Sequence, residues 1–159
     1  MGTLVSPAQL RQLLNYCFDT YEFRDLCLDL GVDYDALPGE GKDGKSRELI
    51  AYFGRPGRSI NKLIEVCSQL RPKAPWNTPT AKYEPYSLDK VAELRQKLTD
   101  QFEEDELRNI CTSLGVNYKR LAGAEQGGIA RELVLYLARR ERIAELIEAC
   151  SQRHPNLSW

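Results

Sequence analysis

One methionine, one histidine and two tryptophans are all that these residue types supply in 159 residues, and no apolar run approaches the roughly 20 residues a bilayer crossing needs. The start lacks the charged and apolar stretches of a signal peptide, so a soluble, cytoplasmic chain with no membrane partner is expected. Neither charge is in excess. Lys and Arg total 22 against 23 Asp and Glu, and the net charge of -1 supplies no overall drive toward polyanions, which argues against nucleic acid as a partner. Strand signals are nearly absent, with Val32 to Leu37 the one short stretch. With 42% hydrophobic and 28% charged residues the composition is neither disordered nor collagenous, and the length suits one or two small domains.

The five cysteines, Cys17, Cys27, Cys67, Cys111 and Cys150, are odd in number and form no CxxC pair. Most sit among Leu, Ile and Val at helical spacing, the pattern of reduced core residues. The single histidine, His154, lies five residues from the end, where a Cys/His nucleophile would depend on a frayed tail and a zinc site would lack ligands. No catalytic residue, metal, cofactor or small-molecule substrate is therefore expected.

What the sequence does have is a repeat. Shifted by 84, Ala8-x-Leu10-Arg11-Gln12-x-Leu14 meets Ala92-x-Leu94-Arg95-Gln96-x-Leu98, and Cys27-x-x-Leu30-Gly31-Val32-x-Tyr34-x-x-Leu37 meets Cys111-x-x-Leu114-Gly115-Val116-x-Tyr118-x-x-Leu121. Arg47-Glu48-Leu49-x-x-Tyr52 meets Arg131-Glu132-Leu133-x-x-Tyr136. After one extra residue near Ser59 the shift becomes 83, pairing Leu63-Ile64-Glu65-x-Cys67-Ser68-Gln69 with Leu146-Ile147-Glu148-x-Cys150-Ser151-Gln152, and Trp76 with Trp159. Roughly 30 of about 65 aligned positions are identical, and the period exceeds the 20 to 50 residues of solenoid repeats, so the unit is a small domain present twice.

Each copy reads as helices. Ser6 caps a first helix with Pro7 at its first position, and Leu10, Leu13, Leu14, Cys17 and Phe18 follow at i, i+3, i+4, i+7 and i+8. Thr20 is placed to cap a second helix with Phe23, Leu26, Cys27 and Leu30 inward, closed by Gly31. Asp33 to Leu37 allows about one further turn. Pro38 to Gly41 reads as loop, Asp43 or Ser46 opens a third long helix through Phe53, and Ile60, Leu63, Ile64, Cys67 and Leu70 form the last stripe. Four prolines between Arg71 and Tyr86 mark a linker, giving domains at 1–71 and 87–159 joined by 72–86. Trp76 and Trp159 are expected to fold back over their own domain cores.

Two short motifs compete for a function. Gly39 to Ser46 satisfies GxxxxGK[ST], the pattern of a loop whose amides cradle phosphate, and makes a nucleotide- or phosphate-binding regulator the alternative reading. The chemistry requires a parallel sheet that this sequence does not supply, and the second copy lacks the Lys and Ser. Met1 to Ser6 fits an N-myristoylation pattern, although Ser6 already serves as a helix cap.

Charge is segregated within each copy. Asp19, Glu22, Asp25, Asp29, Asp33, Asp35 and Glu40 precede Lys42, Lys45, Arg47, Arg55, Arg58 and Lys62, and the second copy repeats the order with Asp100, Glu103, Glu104, Asp105 and Glu106 before Lys119, Arg120, Arg131, Arg139, Arg140 and Arg142. Opposite poles on one small bundle suit head-to-tail contact, where complementarity sets orientation and on-rate.

The run from Leu30 to Phe53, with Gly57-Arg58 and Leu63-Ile64-Glu65, resembles the bacterial effector-associated or death-like domains, and the second copy keeps Leu114 to Tyr118, Arg131 to Val134 and the Arg139 to Arg142 turn. The resemblance implies an all-α protein of two tandem death-fold-like bundles, each of five to six short helices, related in shape to death effector and caspase-recruitment domains. It also implies a non-enzymatic adaptor that binds other effector-associated or death-fold proteins, itself included, and couples sensors such as NACHT-type ATPases to effectors in bacterial immunity or programmed cell death. An inhibitory monomeric tandem module is the remaining alternative. The expected partner contacts are Glu22, Arg24, Arg47, Glu48, Arg55 and Arg58, with Glu106, Arg108, Arg131, Glu132, Arg139 and Arg142 as their repeat counterparts.

Overall fold

The computed structural model describes residues 5–80, 83–121 and 128–159, and among these every regular element is an α-helix. The chain divides into two units, Met1–Glu84 and Pro85–Trp159. Gly2, the residue that the myristoylation pattern would modify, lies outside the described residues.

In the first unit, helix α1 (Pro7–Cys17) begins where the Ser6 hydroxyl accepts the Gln9 N–H at 3.1 Å, with Pro7 at a position whose N–H has no helical partner. Helix α2 (Thr20–Asp29) starts one residue earlier than the Thr20 cap implied. Asp19 is the N-cap, its carboxylate accepting the Glu22 N–H at 2.7 Å while Glu22 accepts the Asp19 N–H at 3.1 Å. The glutamate three residues on lets Asp19 satisfy two end donors, which Thr20 could not do. Helix α3 (Gly41–Phe53) also begins early, enclosing Lys42, Gly44, Lys45 and Ser46, and helix α4 (Ile60–Leu70) follows. Leu70 leaves the expected stripe and is 40% exposed.

The second unit repeats the plan as α5 (Leu88–Gln101), α6 (Glu104–Ser113), the single turn α7 (Tyr118–Leu121), α8 (Gly128–Ala138) and α9 (Ile143–Arg153). The element matching α7 in the first unit is only a turn, held by Ala36 N–H to Asp33 O and Leu37 N–H to Tyr34 O, both 3.2 Å. Pro38 follows Leu37 where Ala122 follows Leu121, and proline both lacks a donor and disfavours the α conformation in the residue before it.

Each unit buries its own core. In the first, α1 packs on α3, and α4 packs on α2 and α3, around Leu13, Leu14, Phe23, Leu26, Leu49 and Leu63. In the second, α5 packs on α8, and α9 on α6 and α8, around Leu94, Leu98, Ile110, Leu133 and Leu146. All five cysteines are buried free thiols, and burial pushes Cys27, Cys111 and Cys150 up to about 11 and Cys67 up as well.

Most of the proline-rich segment belongs to the first unit. Trp76 is buried, stacks obliquely on Phe18 and donates its indole N–H to Arg71 O at 2.8 Å, while Tyr83 is buried against Tyr16. The buried Gln9 amide fastens the intervening chain to α1, donating to Pro75 O and Thr78 O and accepting the Thr80 N–H. Proline bars this stretch from helix but not from docking, because the aromatic side chains still have apolar surface to bury. Trp159 is half-buried on the second core, its ring 5.6 Å from that of Phe102.

Candidate functional site

The phosphate-loop motif forms no loop. Because α3 starts at Gly41, Gly44, Lys45 and Ser46 are helical, and their polar groups face inward to other elements. The Lys45 ammonium donates to Tyr34 O at 2.9 Å and Leu37 O at 2.8 Å, and that of Lys42 to Asn15 O and Phe18 O, both 2.7 Å. Ser46 Oγ donates to Lys42 O and lies 3.1 Å from Asn15 Oδ1. The two lysines thus serve carbonyls at the end of α1 and in the turn before α3, groups a helix end leaves without partners. Gly39 (φ +94) is required by close approach, since a Cβ there would lie 2.8 Å from Gly44 C. These contacts overturn the phosphate reading, for the side chains that would bind phosphate are committed to the fold. In the second copy the corresponding residues up to Gly127 lie outside the described set, and the Lys45 counterpart is Ile129, packed on the core.

Among the expected partner contacts, Glu22 is not at the surface. It is 8% exposed and paired with the equally buried Arg71 guanidinium, which also donates to Cys17 O and Leu70 O and lies 4.6 Å above the Phe18 ring. The capping box turns the Glu22 side chain toward the α1–α2 corner, where Arg71 arrives from the end of α4. Arg71 was placed at a linker boundary in the sequence, yet the repeat held the signal, since Glu22 and Arg71 align with Glu106 and His154. There the pair is loose: His154 Nε2 is 3.8 Å from Glu106 Oε2 and has no hydrogen-bond partner, while the imidazole packs edge-on against Phe102.

Arg24 and Arg108 are exposed and repeat one arrangement. Arg24 lies 4.4 Å above the Tyr34 ring and 3.2 Å from Asp35, and Arg108 lies 4.8 Å above Tyr118 and 3.6 Å from Glu104. Tyr118 donates to Glu104 at 2.7 Å, and that bond pushes its phenol up, while the bond to Tyr118 pushes Arg108 up.

On α3, Arg47 is exposed and 3.7 Å from Asp43, and Glu48 is half-buried; on α8, Arg131 pairs with the half-buried Glu132 at 3.0 Å. The exposed Arg58 lies 3.9 Å above the Tyr52 ring, with Arg55 further out at 5.9 Å. Their counterparts diverge. Arg139 is buried, because Arg142 N–H returns to Leu137 O at 2.8 Å through a left-handed Glu141 (φ 55), and a turn this tight takes Arg139 out of solvent. Arg140 instead stacks on Tyr136 at 3.6 Å, and Arg142 is held by Glu145 at 2.8 Å and by Leu114 O at 2.7 Å, the carboxylate pushing its guanidinium up.

The exposed acids Asp25, Asp29, Asp33, Asp35 and Glu40 therefore lie on α2 and the loop after it, with Arg24 among them, and the exposed bases Arg47, Arg55, Arg58 and Lys62 on α3, its closing turn and α4, with Asp43 and Glu65 among them. No group of three or more His, Cys, Asp or Glu among the described residues is arranged to hold a metal ion. No helix among them is long and apolar enough to cross a membrane.

A family model, effector-associated domain 7, matches this chain twice, over residues 10–72 and 94–155. The chain belongs to the effector-associated domain family. The first matched segment takes in nearly all of α1 through α4 and ends just past Arg71, and the second takes in most of α5 through α9 and ends just past His154. Each effector-associated domain thus closes at the residue facing Glu22 or Glu106, while Trp76 and Trp159 lie beyond the matched segments. The family suggests a signalling or adaptor module. No curated protein and no solved structure matches the chain.

Proposed function

We propose that this chain is a non-enzymatic cytoplasmic adaptor whose effector-associated domains bind domains of like fold, coupling a sensor to an effector in bacterial immunity or programmed cell death. The observation that carries the reading is the tandem of two family domains across most of the chain. It is supported by the uneven division of exposed charge in the first unit, acids predominating on α2 and the loop after it and bases on α3, its closing turn and α4. Poles of opposite sign on one bundle favour ordered, directional association with a similarly built partner. Among the residues expected to make that contact, Arg24, Arg47, Arg55 and Arg58 in the first unit and Arg108 and Arg131 in the second are the exposed ones without a buried role.

Light scattering over a concentration series at low and high salt, in reducing buffer, tests it together with binding to isolated effector-associated domains. Association that weakens with salt and is lost in Arg47→Glu/Arg131→Glu is expected. Association indifferent to both salt and charge reversal would remove the basic faces from the interaction.

A further inference from the structure

The two copies part company at two exposed places in the first unit. Helix α2 buries Phe23, Leu26 and Cys27, and on its outer side it exposes Tyr21 and Leu28, each at 76%. Seven residues apart on a helix, they stand about 10 Å apart along one stripe, with Asp25 and Asp29 beside them. The second copy has Asp105 and Thr112 at these positions, both exposed, so the apolar stripe is gone.

The other place is a groove of about 770 Å³ between the start of α1, α3 and the start of α4. Leu10, Ile50 and Ile64 give it an apolar floor, and Arg11 and Arg47, both accessible, stand at its edge, two cations sharing the single exposed carboxylate of Asp43 at 3.7 Å each. It stays open where α3 carries only Ala51 and Gly54, both exposed. In the second copy these become Leu135, packed against the core, and the fully buried Ala138. The projecting stripe and the open groove thus occur together in the first unit, and in the second the stripe residues and the two that leave the groove open are replaced, while its floor keeps Leu94, Val134 and Ile147.

We propose that the Tyr21–Leu28 stripe of one copy of this chain seats in the α1–α3–α4 groove of a second copy, with Asp25 and Asp29 facing Arg11 and Arg47. The second copy is the occupant because apolar surface and charge sign are complementary between the two patches. A unit cannot fill its own groove, since α2 is anchored through its opposite, buried face. The contact is heterologous, so first units join head to tail, while the second units, with Asp105 and Thr112 in place of the stripe and Leu135 and Ala138 where the groove is open, stay out of it. The proposal rests on the like-with-like reading above and adds the surfaces and the unit that make the contact.

Two variants that borrow residues from the second copy provide the test. Tyr21→Asp/Leu28→Thr removes the stripe, and Ala51→Leu/Gly54→Ala narrows the groove. Gly54 has φ -82 and a Cβ there meets backbone oxygens no closer than 3.4 Å, so alanine fits; unchanged circular dichroism and denaturation midpoints check both folds. By sedimentation, the wild type is expected to grow in mass with concentration, and each variant to self-associate at least about tenfold more weakly. A 1:1 mixture of the two variants is expected to form a discrete dimer, because one working stripe then meets one working groove. Growth of both variants equal to the wild type would overturn this contact while leaving like-with-like association intact. A wild type that stays monomeric throughout would overturn the second copy as occupant and leave the adaptor reading to a different partner.

Discussion

Replacing Arg71 with alanine takes away the guanidinium that pairs with the Glu22 carboxylate in the first core and leaves that carboxylate its capping bond to Asp19. The lost groups are an ion pair with both partners 8% exposed, donors to Cys17 O and Leu70 O, and a stacked contact with Phe18. Breaking a buried pair from one side costs about 3–5 kcal/mol. A unit of this size has roughly 4–12 kcal/mol in all, so the variant should lose about a quarter or more of its stability, a fall in Tm of at least about 12 °C. In Arg71→Met/Glu22→Gln both charges go and the Gln side chain keeps the bond to the Asp19 N–H, so the cost should fall to about 1–2 kcal/mol, chiefly for the lost bonds to Cys17 O and Leu70 O. Denaturant titration in a Trp159→Phe background follows the first unit through Trp76 alone. The repeat supplies the control: His154→Ala, read through Trp159 in a Trp76→Phe background, should cost under about 1 kcal/mol, since that pair is half-exposed and 3.8 Å apart. Equal costs at Arg71 and His154, or a loss below about 1 kcal/mol at Arg71, would refute the argument from burial.

Gly57 (φ +83) has open space around its Cβ position, so Gly57→Ala should lower first-unit stability by about 1 kcal/mol on backbone grounds alone. Conversely Glu141→Gly relieves a left-handed glutamate (φ 55) and should raise the second unit's denaturation midpoint by about 0.5–1 kcal/mol, less whatever Glu141's own contacts contribute. Lys45→Ala should cost about 1–3 kcal/mol in urea titration by removing the bond to Leu37 O and the second bond to Tyr34 O, which keeps its turn bond from the Leu37 N–H, with ATP calorimetry flat in both proteins; heat of binding lost with Lys45 would reverse the assignment. Cys27, Cys111 and Cys150 are raised from an ordinary 9 to about 11, so the unfolded thiols ionise first, and their contribution is complete below about pH 9 and lost as pH rises toward 11. At pH 8 an aromatic disulfide reagent should therefore leave native thiols unmodified and titrate all five in denaturant; rapid labelling of the folded protein would contradict their burial.

Much of this was legible because it is periodic or punctuated. Helical spacing of Leu, Ile and Cys set the buried faces, Ser6-Pro7 set the start of α1, and the 84-residue repeat set two domains. The misread residues share a cause. Lys42 and Lys45 looked like phosphate ligands, and Glu22 and Arg139 like surface charges, because a one-dimensional pattern records a residue's type and not the carbonyl or guanidinium that another element delivers to it. The linker reading of 72–86 has the same cause, since the Gln9 amide that fastens Pro75, Thr78 and Thr80 lies 66 to 71 residues away.

The sequence by itself determined the helical class, the duplication, the reduced core cysteines and the family, all properties of short-range pattern or of a long run of matching residues. Tertiary structure alone decided which charges are structural and which are available, because burial and pairing depend on elements far apart in the chain. Glu22 meets Arg71 only once α4 has closed over the α1–α2 corner, and Tyr21 and Leu28 stay outside only because Phe23, Leu26 and Cys27 take the inner face of the same helix.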